Sequence, residues 1–95
     1  MDALELIENY LNDHAGKSAF IDQALAQIKR ALQDACRMAE KSDYDFAQAN
    51  MFLARNAAVK LLEAITHPDS IRKIIIDIYM RIEDELCTNQ EGEKQ

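Results

Sequence analysis

Two histidines, two cysteines and a run of three carboxylates are the side chains of this 95-residue chain best suited to chemistry. A neutral imidazole can serve as a general base or a metal ligand near neutral pH. His14 and His67, however, have no carboxylate or cysteine recurring beside them at ligand spacing. No His-Glu-x-x-His or Cys-x-x-Cys pair occurs anywhere in the chain. Both histidines fall in predicted loops, which suits capping or solvent-facing roles. Cys36 and Cys87 lie in two different predicted helices, and two isolated cysteines do not make a disulfide framework. Each reads as a small hydrophobe. Ser18, Ser42 and Ser70 stand at predicted helix starts, where capping accounts for them without a nucleophile. Glu83-Asp84-Glu85 is dense in charge, but consecutive residues of a helix point in different directions. No Glu-x-x-His pair of the di-iron bundle type accompanies it. The expectation is a protein with no catalytic residue, no metal site and no cofactor, and not an enzyme.

The elements that would position any functional surface are four helices. Leu4, Ile7 and Leu11 share one face of a first helix over about Asp2 to Asp13, with Leu6 and Tyr10 as a second pair. Gly16 suits the left-handed position after its end. Ser18 caps a second helix reaching about Lys41. There Ile21, Leu25, Ile28, Leu32, Ala35 and Ala39 alternate steps of four and three, and Ala24 and Ala31 widen the stripe. Ser42 and Asp45 form a weak capping box for a third helix running to about Thr66. Two apolar rows run along it: Phe46, Ala49, Leu53, Ala57, Leu61 and Ala64 beside Ala47, Met51, Ala54, Ala58, Leu62 and Ile65. Thr66-His67-Pro68-Asp69 is the sharpest break, because proline fits a first turn and its predecessor disfavours helix. The fourth helix, from about Pro68 to Cys87, places Ile71, Ile74, Ile75, Ile78, Ile82 and Leu86 on one face.

These spacings predict an all-α, up-and-down antiparallel helical bundle over residues 1–87, with one short and three long helices. A disordered polar tail is expected over 88–95, where no hydrophobic residue is available to dock. A short helix opposite three long ones leaves part of the core uncovered, and that helix could cover a functional surface or move off it. The formal charge of −6, with eleven basic residues dispersed along the chain, argues against nucleic-acid binding. No segment reaches the roughly 18 apolar residues of a membrane span, and the N-terminus is acidic where a signal peptide would be basic. A cytoplasmic location is expected.

The apolar excess is the functional signal. Met51, Phe52, Val59, Ile76, Tyr79 and Met80 on the last two helices are the candidate partner-binding residues. They would line a groove for an amphipathic helix of another protein or finish a homodimer interface. Met51 and Met80 suit an adaptable groove because unbranched side chains repack easily.

The third helix also carries a family resemblance. Asp43-Tyr44-Asp45-Phe46-Ala47-Gln48-Ala49-Asn50, continuing through Leu53-Ala54-Arg55 to Leu61-Leu62, resembles the central helix of flagellin-binding flagellar export chaperones. Ile28–Glu40 looks like that family's preceding helix, and Ile78-Tyr79-Met80 is similar to its Leu-Tyr-x-Tyr-Met stretch. The likeness covers residues 24–86, with Ser42 standing where the family has Gly. It implies a cytoplasmic protein-export chaperone of the flagellum type that holds an amphipathic helical segment of a secreted filament protein. The alternatives are a homodimeric structural or regulatory bundle and an acidic immunity-type protein neutralising a basic toxin. For the last, Ile65-Thr66-His67-Pro68-Asp69 is similar to the short Thr-Glu-His-Pro-Asp stretch of bacteriocin nuclease immunity proteins, although the tyrosine pair that follows there is absent.

Overall fold

The computed structural model describes residues 2–65 and 69–94, with side chains as far as Leu86. Four helices account for nearly all of it: α1 (Ala3–His14), α2 (Ala19–Glu40), α3 (Tyr44–Ala64) and α4 (Asp69–Lys94). No strand occurs among the described residues.

The starts of α1, α2 and α3 are each fixed by a side chain that satisfies an orphan amide of the first turn. Asp2 Oδ1 accepts the Glu5 N–H at 2.9 Å, Ser18 Oγ that of Ile21 at 3.3 Å, and Asp43 Oδ1 that of Phe46 at 3.4 Å. Asp43, not Ser42, therefore caps α3. Ser42 instead closes α2. It adopts a left-handed φ of 63°, donates to the Ala39 carbonyl at 3.0 Å, and lets Asp43 N–H reach the Met38 carbonyl at 2.8 Å. This pair of bonds is the Schellman closure that glycine usually makes. Gly16, at φ 91°, turns the chain out of α1, and its N–H donates to Asp22 Oδ2 at 2.8 Å.

Short turns make successive helices antiparallel, and α1 closes the ring by packing on both α2 and α4. The result is an elongated bundle of 42 × 21 × 19 Å. Apart from the Tyr10 hydroxyl its core is apolar: buried residues of polar or charged type do not occur among the described residues. Ile7 and Tyr10 of α1, Leu25 and Ile28 of α2, and Ile75, Ile78 and Ile82 of α4 are its largest enclosed side chains. The isoleucines of α4 keep helical spacing along the whole face, which settles the segment as helix despite its β-branched content.

α2 and α3 form the most extensive contact of the ring, and alanines make it possible. Ala54 and Ala58 of α3 are fully buried, Ala35 and Ala47 nearly so, and Ala24, Ala31 and Ala57 pack at the margins. Of the two apolar rows expected on α3, the interior takes Ala47, Met51, Ala54, Ala58 and Ile65, joined by Leu61. Phe46, Ala49, Leu53 and Ala64 of the other row are exposed. A helix in a four-membered ring has one interior side, and close approach to α2 leaves space there for alanine but not for phenylalanine.

α4 also differs from its expected extent. Its helical backbone runs on to Lys94, through residues 88–94 that the sequence reading assigns to a disordered tail. No proline interrupts the segment, and Gln90, Glu91, Glu93 and Lys94 are good helix formers. The expectations for His67 and Pro68, and for the Cys87 side chain, lie outside the described residues. No helix among the described residues is long and apolar enough to cross a membrane.

Candidate functional site

α1 has 12 residues, whereas α2 has 22, α3 has 21 and α4 has 26. Because the α1–α2 turn joins the end of α1 to the start of α2, α1 covers only the first half of α2. Beyond Asp2 the interior faces of the three long helices lose their fourth neighbour. A cavity of about 260 Å³ opens there, lined by Leu4, Leu32, Ala35, Cys36, Ala39, Ala47 and Met51, with Asp2 and Glu85 at its polar side. Sites for small organic ligands run from about 300 Å³ upward. This cavity has the size for one or two apolar side chains delivered by a larger partner.

The polar side is built by α4 and the start of α1. Ala3 N–H donates to Glu85 Oε1 at 3.3 Å, tying the first turn of α1 to the second half of α4. Burial pushes the Glu85 carboxyl above the usual range, the Ala3 hydrogen bond opposes that, and the negative charge of Asp2 adds to the rise. Burial also pushes the Cys36 thiol up, reinforced by Glu85, Asp2 and Glu40. A raised thiol pKa lowers the fraction of thiolate, the form that acts as nucleophile and metal ligand, and the exposed Cys36 side chain stands at the edge of the cavity. No group of three or more metal-ligating side chains converges among the described residues.

The six candidate residues from the sequence fall in three places rather than one. Met51 is buried and lines the end cavity. Phe52 and Val59 flank Arg55 at helical spacing, and Ile76 and Tyr79 precede Glu83 by seven and four residues on the same side of α4. Arg55 Nε donates to Glu83 Oε1 across the α3–α4 seam, and those four residues therefore lie along its outer edge. Arg55 holds the Glu83 carboxyl below its usual range, with Tyr79 as a second hydrogen-bonding partner. Val59, Ile76 and Tyr79 are half-buried there, and Tyr79 packs against the core. Met80 points the other way, toward α1, where it borders a shallow hollow with Leu6, Asp77, Arg81 and Asp84.

Met80 and Phe52 are among the large exposed apolar side chains, but the most exposed ones lie outside the six candidates. Phe46 is 64% exposed and Leu53 60%, with Phe20 and Tyr44 similarly bare. Sequence periodicity alone does not find them, because both rows of α3 have helical spacing. Each row also holds three alanines, so composition does not separate them either.

No protein-family model, curated protein or solved structure matches the chain. A functional reading rests on the surfaces just described.

Proposed function

We propose that the chain is a non-catalytic protein-binding module whose open end accepts apolar side chains from an amphipathic helix of a partner protein, in the manner of a small export chaperone. The observation that carries this reading is the unclosed core. Leu32, Ala35, Ala39, Ala47 and Met51 line an accessible cavity because α1 stops short of them. A helix laid across the end of the bundle would complete the ring, burying apolar surface at about 25 cal/mol per Å². Met51 gives the cavity an adaptable wall.

The likeness of Asp43–Leu62 to flagellin-binding export chaperones favours a secreted filament protein as the source of that helix. The backbone at Ser42 is compatible with that likeness: the residue standing where the family has Gly adopts φ 63°, a conformation that glycine takes without strain.

Filling the cavity tests the proposal. The probe is a synthetic peptide of the terminal amphipathic segment of a filament or secreted protein encoded beside this gene. The wild-type chain should gain thermal stability with the peptide. Ala39→Phe, at an exposed position lining the cavity, should keep its helical circular dichroism and lose the gain. A peptide that leaves the wild-type melting temperature unchanged, or that stabilises Ala39→Phe equally, would count decisively against the end cavity as the site.

A further inference from the structure

The outward side of α3 carries a pattern that a solitary bundle does not need. Phe46, Ala49, Leu53, Asn56 and Lys60 follow one another at steps of three, four, three and four, the repeat of a coiled-coil seam. All five are exposed, Phe46 and Leu53 by more than half their surface. The interior of the ring lies on the other side, where Ala47, Ala54 and Ala58 are buried. An outward helix face normally carries charge and polarity, and large apolar groups repeated along it mark an interaction surface.

We infer that this face is a self-association surface, on which α3 of a second copy packs antiparallel about a two-fold axis that crosses the outward face between Ala49 and Leu53. The occupant follows from shape and charge. In that register Leu53 of each copy lies over Ala49 of the other, so a large residue meets a small one twice. Phe46 of each copy lies over Asn56 of the other, with the methylene stem of Lys60 one turn away. The ammonium of Lys60 reaches the acidic first turn of the opposite helix, where Asp43 and Asp45 stand. Symmetry repeats that attraction at the other end of the interface. A parallel pair would instead stack Lys60 on Lys60 and Leu53 on Leu53, opposing like charge and crowding the seam. The face is separate from the end cavity, and the inference does not depend on the cavity's role.

Sedimentation of the full chain across the micromolar range tests it. The expected result is a reversible dimer. Leu53→Glu should weaken association at least about tenfold, equivalent to about 1.4 kcal/mol, while leaving helical circular dichroism intact, because Leu53 is exposed. Lys60→Glu should weaken it too, and combining Lys60→Glu with Asp45→Lys should restore it. A strict monomer overturns the inference and leaves the face to some other partner. A dimer indifferent to Leu53→Glu also overturns it. A dimer that Leu53→Glu weakens but the charge exchange fails to restore overturns the antiparallel arrangement.

Discussion

Glu83 and Glu85 stand two residues apart on α4 and bind opposite neighbours. Glu83 accepts from Arg55 of α3, and Glu85 accepts from the Ala3 amide at the head of α1. Two residues along a helix turn about 200°, so one acidic stretch fastens both flanking helices to α4. Their environments push the two carboxyls in opposite directions. An arginine partner lowers Glu83, whereas burial raises Glu85.

Glu85→Gln should stabilise the protein at neutral pH. A carboxyl raised in the folded state costs nothing below its unfolded value of about 4.3. Stability is then lost as pH rises through the folded value, where the buried group must ionise. A glutamine keeps an oxygen for the Ala3 amide and has no charge to desolvate. Denaturant midpoints measured from pH 4 to pH 8 should show the gain of the variant growing with pH (a range set by the reference value of about 4.3). A gain that is independent of pH would refute the electrostatic account.

For the pair on the other flank the sign reverses. The stability that Glu83 contributes is present above its unfolded pKa and is lost as pH falls through its lowered folded value. Arg55→Ala should remove that acid sensitivity. Because both side chains are about one-third exposed, the cost at neutral pH should be small and should shrink further as salt is added. Melting curves of wild type and variant at low and high ionic strength make the comparison.

Ser42→Gly should stabilise the fold by about 0.5–1.5 kcal/mol. The left-handed φ of 63° at Ser42 brings a side chain against its own backbone, a penalty of roughly 1–2 kcal/mol that glycine avoids. The extra freedom of glycine in the unfolded chain gives part of this back. Ser42→Val, with a branch at Cβ, should instead be clearly destabilising. Equal stability of the glycine and valine variants would contradict the strained-cap reading.

Tyr10→Phe should be neutral or mildly stabilising, by up to about 1 kcal/mol. The Tyr10 ring is enclosed between α1 and α2, its centroid 5.0 Å from that of His14. Its hydroxyl has no hydrogen-bond partner among the described residues. Burial, with the charge of Asp22 behind it, raises the Tyr10 pKa, as expected of a phenol with little to solvate its anion. The phenylalanine ring fills the same space without a polar atom to bury. Destabilisation beyond about 1 kcal/mol would mean that the hydroxyl is satisfied in solution.

The bundle was readable from spacing because α2 and α4 each present one dominant stripe. Ile21, Leu25, Ile28, Leu32 and Ala35 on α2, and Ile71, Ile75, Ile78, Ile82 and Leu86 on α4, are buried where periodicity put them, whereas Ala39 of the first stripe is exposed and Ile74 of the second half-buried. α3 was harder, since apolar residues surround it and periodicity cannot say which row turns inward. That choice is made by a neighbour, α2, whose close approach leaves the bulky Phe46 and Leu53 outside. The uncovered end of the core followed from helix lengths alone, but its lining did not, because Cys36, Ala39 and Glu85 are unremarkable within their own helices. Of the six candidate residues, all but Met51 stand outside the dominant stripes, and residues sharing only that property have no reason to converge in space.

The brevity of α1 also bears on how the molecule breathes. A 12-residue helix is marginal by itself. This one is held by three buried side chains, Ala3, Ile7 and Tyr10, and by the Glu85 clasp at its head. Sub-global opening should begin there, ahead of the interlocked hairpin of α2 and α3. In native-state hydrogen exchange, α1 amides should lose protection at free energies well below that of global unfolding. Each such excursion would lengthen the open end of the core into a channel running beside α2, a state far roomier than the resting cavity.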